Sequence, residues 1–133
     1  VIAVLSSQFQ IYFLILFSVS SSAVAQLLLK IGMSQPSMQN RAADANWLTS
    51  ILALIQNYWV VGGLGLYFFG ALVWLKVLAK VELSFAYPFV GLGFILTMVF
   101  GKLFLGDAIT LQRFLGTCLV ISGVLLIAID SKA

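Results

Sequence analysis

The chain has no histidine, a single cysteine and only four acidic residues, Asp44, Glu82, Asp107 and Asp130. With Cys118 standing alone and no Cys, His or carboxylate cluster in sight, neither an intrachain disulfide nor a metal site can be built, so no metal is expected. No Gly-x-x-x-x-Gly-Lys-Ser/Thr loop is present, and Gly91-Leu92-Gly93 lies in an apolar run without the third glycine of a dinucleotide fingerprint. The chain therefore reads as a non-enzyme that needs no cofactor. None of the four carboxylates falls in the middle of a long apolar run. A membrane protein that exchanges protons for cationic compounds needs a carboxylate within the bilayer to bind each in turn, so that chemistry lacks its central group here.

What fills the chain is hydrocarbon. Hydrophobic residues make up 62% and charged residues 8%, against roughly 45–50% and ~25% in soluble domains. Four runs each reach the ~20 residues that a helix needs to cross a bilayer core of about 30 Å. The expected fold is an all-α integral membrane protein, one domain over 1–133, with four transmembrane helices in an antiparallel bundle at about 9–33, 58–78, 85–105 and 110–129. Ala23-Val24-Ala25 has the look of a signal-peptidase site, but residues 1–10 carry no Lys or Arg, so the first run reads as a retained span. The sequence opens at Val1 rather than Met, which leaves room for a missing N-terminal piece.

Between the first two spans, Ser34–Asn46 is the most polar stretch and reads as a loop, with Pro36 as a breaker and Arg41 and Asp44 in water. Trp47–Gln56 is too short to cross and starts with Trp, so it is expected to lie at headgroup level as an interfacial helix; an early start to the second span is the alternative. The short link 79–84 returns helix three antiparallel. Pro88 falls in that helix's first turn, and with Gly91 and Gly93 it marks a candidate hinge. Gly106-Asp107-Ala108 forms a tight turn, and Thr110 is the expected N-cap of helix four. Lys76, Lys80 and Lys132 fall on the side of the termini and Lys30, Arg41, Lys102 and Arg113 on the other. Three against four gives the positive-inside rule almost no purchase, which permits an antiparallel pairing of two chains.

Two patterns inside the spans are informative. Ser18, Ser22, Gln26 and Lys30 recur every four residues and form a polar stripe along helix one. Such a stripe avoids lipid. It serves either as hydrogen-bonding glue between helices, with Lys30 reaching the headgroups, or as a path for a polar headgroup whose phosphate Lys30 attracts. Helix four places Gly116 and Gly123 seven residues apart with Ser122 adjoining, a small-residue face suited to packing against a second chain or within one bundle. Cys118 in the same run reads as a small core residue.

Ser84-Phe85-Ala86-Tyr87-Pro88, Gly91-Leu92-Gly93, Gly106-Asp107, the stretch from Gly116 to Val124, and Gln26-Leu27-Leu28-Leu29-Lys30 together resemble the four-helix branch of the drug/metabolite transporter superfamily, over about Gln10 to Ile129. Two families compete within it. Small multidrug resistance proteins are antiparallel dimers that export cations by means of a glutamate eight residues before a lysine in helix one; counting back from Lys30, Ser22 stands there. Flippase subunits for undecaprenyl-phosphate-linked aminoarabinose lack that glutamate and carry the Gln-x-x-x-Lys and Ala-Tyr-Pro features, and this chain is more similar to them. The resemblance implies movement of a lipid-linked sugar across a bacterial inner membrane by a multi-pass protein, paired as a homodimer or with a similar small subunit, with no nucleic acid involved. Ser18, Ser22 and Gln26 would then meet sugar hydroxyls, Lys30 and Lys102 a phosphate, and Tyr87 the sugar ring. A multidrug-type exporter and a non-transporting accessory subunit of a lipid-sugar glycosyltransferase system stay open as alternatives.

Overall fold

The computed structural model describes residues 1–43 and 46–130; Asp44 and Lys132, used above to read the first loop and the charge balance, lie outside them. The architecture is an all-α membrane bundle. Its elements are α1 (Ile2–Met33), α2 (Pro36–Ala42), α3 (Trp47–Gln56), α4 (Tyr58–Leu78), α5 (Leu83–Ala86), a 3₁₀ segment (Tyr87–Gly91), α6 (Leu92–Leu105) and α7 (Leu111–Asp130). Among the described residues, four stretches are long and apolar enough to cross a membrane: Ile2–Met33, Tyr58–Leu78, Leu83–Leu105 and Leu111–Asp130.

The first span is longer than its apolar run implied. Ser6 and Ser7 turn their hydroxyls back onto the carbonyls of Ala3 and Val4, at 2.8 and 3.2 Å, so the helix continues through them. At 32 residues, α1 is about 48 Å long and overreaches a hydrocarbon core of about 30 Å.

The polar link is not a plain loop. Pro36 stands in the first turn of α2, where its fixed φ favours a helix and its missing N–H breaks no bond, so it starts a helix instead of breaking one. Helix α3 is separate from α4, because Asn57 between them is extended at φ −90°, ψ 108°. Its side-chain oxygen accepts from the N–H groups of Trp59 and Val60 at 3.0 and 3.4 Å, which caps α4, and its Nδ2 donates to the Gly32 carbonyl at 3.0 Å. One face of α3, Leu48, Ile51, Leu52 and Ile55, is exposed, while Ala53 packs against Met38 and Val60. An apolar face at the i, i+3, i+4, i+7 spacing outside the core is what an interfacial helix needs.

Glycines set the main helix contact. A Cβ on Gly63 would lie 2.9 Å from Leu29 Cγ and 3.2 Å from the Ala25 carbonyl oxygen, and one on Gly70 would lie 3.3 Å from Ser21 Cβ. Their seven-residue spacing lets α4 lie against α1 along two turns. Gly62 and Gly65, on the other side of α4, face open space. The largest buried cluster follows below, with Ile15, Val19, Val77, Phe85, Ala86, Phe89 and Val124.

The third span is broken where proline predicts. Pro88 has no N–H for the Ser84 carbonyl, and residues 87–91 tighten into the 3₁₀ segment before α6 resumes. Pro88 thus opens an interior segment rather than the helix's first turn, which lies at Leu83. Helix α7 touches the bundle through one edge. Val120 and Val124 meet the position of a Gly91 Cβ at 2.8 and 3.4 Å, and Val124 is its one buried residue among those described. Cys118 is consequently exposed, not a core residue as its apolar setting implied. Thr110 caps α7 as expected, its hydroxyl accepting from the Arg113 N–H at 3.2 Å.

Candidate functional site

A cavity of about 650 Å³ opens between α1, α4 and the third span. Its lining follows α1 from Ser18 through Ser22 and Gln26 to Lys30, about 18 Å of helix axis at 1.5 Å per residue. Tyr67, Ala71 and Trp74 come from α4, Tyr87 and Val90 from the 3₁₀ segment, and Gly93, Thr97, Phe100 and Gly101 from α6. The stripe of α1 faces inward here, and the 3₁₀ segment and α6 supply the facing wall. Gly93 keeps the wall open, since a Cβ there would already touch Val19 Cγ1 at 3.5 Å.

The stripe divides by depth. Ser18 is 3% exposed and donates its hydroxyl to the Gly70 carbonyl at 2.8 Å, so at the floor the stripe is interhelical glue. Ser22 is half-buried, and Gln26 and Lys30 are exposed towards the mouth. Within the described residues, no hydrogen bond or ion pair takes up the side chains of Ser22, Gln26, Lys30, Tyr67 or Tyr87. These groups are therefore open to a guest. Lys30 sits in the last turn of α1, where the free carbonyls of the helix end favour a cation.

Of the six candidate binding residues, the cavity gathers Ser18, Ser22, Gln26, Lys30 and Tyr87, and leaves out Lys102, which is exposed in the last turn of α6. At the candidate hinge, Pro88 opens the 3₁₀ segment, Gly91 packs close against α7, and Gly93 forms cavity wall. On α7, nothing lies within 4 Å of a Cβ placed on Gly116 or Gly123, and Ser122 bonds back to the Cys118 carbonyl at 2.8 Å. Its small-residue face is thus uncovered by the described residues.

Asp107, which the sequence places in a turn, also lines the site. Gly106 adopts φ +70°, the left-handed region that glycine enters freely, and turns the chain back so that the Asp107 N–H donates to the Gly101 carbonyl at 3.0 Å. The carboxylate then lies over Gly101, with Oδ2 2.7 Å from where a Cβ would stand, and lines the cavity mouth. A smaller cavity of about 360 Å³ on its other side is shared with Arg113, whose guanidinium donates to the Ala108 carbonyl at 3.0 Å. Among the described residues, no group of three or more Cys, Asp or Glu could hold a metal ion.

No protein-family model and no solved structure matches the chain. It is 39% identical over 59 residues to the probable 4-amino-4-deoxy-L-arabinose-phosphoundecaprenol flippase subunit ArnE of Yersinia pseudotuberculosis, covering 44% of this chain and 52% of the relative. The Yersinia pestis protein of the same name is 37% identical over the same length and shares. That of Pseudomonas savastanoi pathovar phaseolicola is 32% identical over 74 residues, 56% of this chain and 65% of the relative. The chain thus spans about half the length of the Yersinia relatives and just under two thirds of the Pseudomonas one. It is similar to bacterial proteins that are named as probable flippase subunits, not as enzymes.

Proposed function

We propose that this chain is a subunit of a flippase in a bacterial inner membrane, and that it moves the polar head of a polyprenyl-phosphate-linked aminosugar through the α1–α4–α6 cavity while the tail stays in lipid. The observation that carries this reading is the row of uncommitted polar groups, Ser22, Gln26, Lys30, Tyr67 and Tyr87, in a cavity that runs along a membrane span. Apolar packing alone gives no reason to hold such groups unpaired, because a polar atom in hydrocarbon without a partner costs free energy. A sugar brings hydroxyls that bond with Ser22, Gln26 and the tyrosines, and its phosphate is drawn to the Lys30 ammonium. The similarity to ArnE proteins supports the same substrate class.

In this reading the chain performs no covalent chemistry. Net flow is driven by a gradient or by consumption of the lipid on the far face. The 3₁₀ break at Pro88 serves as the bend on which α6 moves, and the open Gly116, Ser122 and Gly123 face of α7 receives a second copy or a similar small subunit. Reconstitution tests the proposal. Proteoliposomes containing the chain should exchange a lipid-linked aminosugar between leaflets faster than empty liposomes, and Lys30→Met should abolish that exchange while the protein still inserts. Full exchange in the mutant would remove Lys30 from the path, and no exchange by the unaltered chain, alone or with a similar subunit, would refute the flippase reading.

A further inference from the structure

The cavity mouth holds two opposite charges that are not spent on each other. Lys30 ends α1, and Asp107 follows the third span; both line the same cavity, and Asp107 is the one carboxylate among its lining residues. No nitrogen–oxygen approach within the 4.0 Å of an ion pair joins them, and neither side chain has another hydrogen-bond or ionic partner among the described residues. Both side chains are exposed at the mouth of a cavity walled by Leu27, Trp74, Phe94 and Phe100, where a ligand that enters meets groups of both signs.

The backbone that carries the carboxylate is also held in place. The left-handed turn at Gly106 and the Asp107 N–H bond to the Gly101 carbonyl fix the backbone, and the missing side chain at Gly101 leaves the space that Oδ2 occupies. An alanine there would push the oxygen away, because it would come within 2.7 Å of the new Cβ. Arg113 faces Asp107 from the far side, across the smaller cavity. Its Nη1 donates to the Ala108 carbonyl at 3.0 Å, and among the described residues no ion pair joins it to Asp107.

We propose that Asp107 is the specificity-determining residue of this site: its carboxylate receives the ammonium group of a zwitterionic headgroup whose phosphate is held by Lys30. The proposal rests on the flippase reading and adds to it the group that distinguishes an aminosugar from a neutral sugar. A charge-assisted hydrogen bond to a fixed carboxylate corresponds to a preference of about tenfold or more.

The test is binding to the purified full chain in micelles, measured by titration calorimetry with two probes: a short-chain prenyl phosphodiester of an aminopentose, and the same compound with its amine acetylated. The unaltered chain should bind the free amine about tenfold more tightly. In Asp107→Asn the ratio should fall to within about twofold, in Gly101→Ala it should fall part of the way, and in Asp107→Glu it should recover in part. A tenfold preference that persists in Asp107→Asn would overturn the role of Asp107 and leave the flippase reading standing. Equal binding of the two probes by the unaltered chain would also overturn it. Binding of neither probe, by the chain alone or with a similar small subunit, would remove the flippase reading and this proposal together.

Discussion

Gly63 and Gly65 lie two residues apart on α4 and offer a matched test of how this bundle is held together. A methyl group at Gly63 would stand 2.9 Å from Leu29 Cγ, 3.0 Å from its Cδ2 and 3.2 Å from the Ala25 carbonyl oxygen, whereas nothing lies within 4 Å of one at Gly65. The Ala25 oxygen is backbone, and Leu29 Cγ moves only by a change of its χ1 rotamer, so either α1 and α4 separate by a few tenths of an ångström or Leu29 repacks. Forcing a methyl into a packed contact costs about 1–3 kcal/mol. Both substitutions also gain ~0.5–1 kcal/mol, because alanine loses less backbone freedom than glycine in a helix. Subtracting one variant from the other removes that gain and leaves packing. Unfolding in mixed micelles with increasing SDS, followed by tryptophan fluorescence, should place Gly63→Ala about 1–3 kcal/mol below Gly65→Ala. Equal stabilities would show that the close approach of α1 and α4 is not what holds the pair.

Two further outcomes are expected. Asn57→Ala removes both the cap of α4 and the Nδ2 bond to Gly32, so it should cost about 1 kcal/mol in the same unfolding assay; an unchanged midpoint would refute the capping role. In a Cys118→Ser background, Gln26→Cys at the cavity mouth should react with a membrane-impermeant maleimide in micelles and in lipid. Leu119→Cys, 74% exposed on the outer face of α7, should react in neither; similar labelling of both would mean that the cavity is not the aqueous path.

The spans were legible because length and hydropathy together leave a chain like this few options, and the stripe was legible because 18, 22, 26 and 30 recur at helical spacing. The pairing of those residues was not. Ser18 and Gly70 are 52 positions apart, so the bond that turns Ser18 into glue appears only once α1 and α4 have docked. The four glycines of α4 look alike in sequence, and only the docked helices separate Gly63 and Gly70, which are in contact, from Gly62 and Gly65, which are not. Pro36 was misread because a proline stops a helix from within and starts one at its first turn, and the sequence alone does not say which position it holds. Asp107 was overlooked because its place in the cavity depends on the left-handed Gly106 and the bare face of Gly101, neither of which shows in a charge pattern.

If a polar headgroup travels through the cavity between α1, α4 and α6, a photoreactive headgroup should be caught there. A polyprenyl-phosphate aminosugar analogue with a photoreactive group on the sugar would be crosslinked to the chain in proteoliposomes, and the labelled peptides mapped by mass spectrometry. Labelling is expected in the segments that carry Gln26, Tyr67 and Tyr87, and excess unlabelled lipid should reduce it. Labelling confined to the outward face of α7 around Leu119 and Leu126, or to the exposed face of α3, would contradict it.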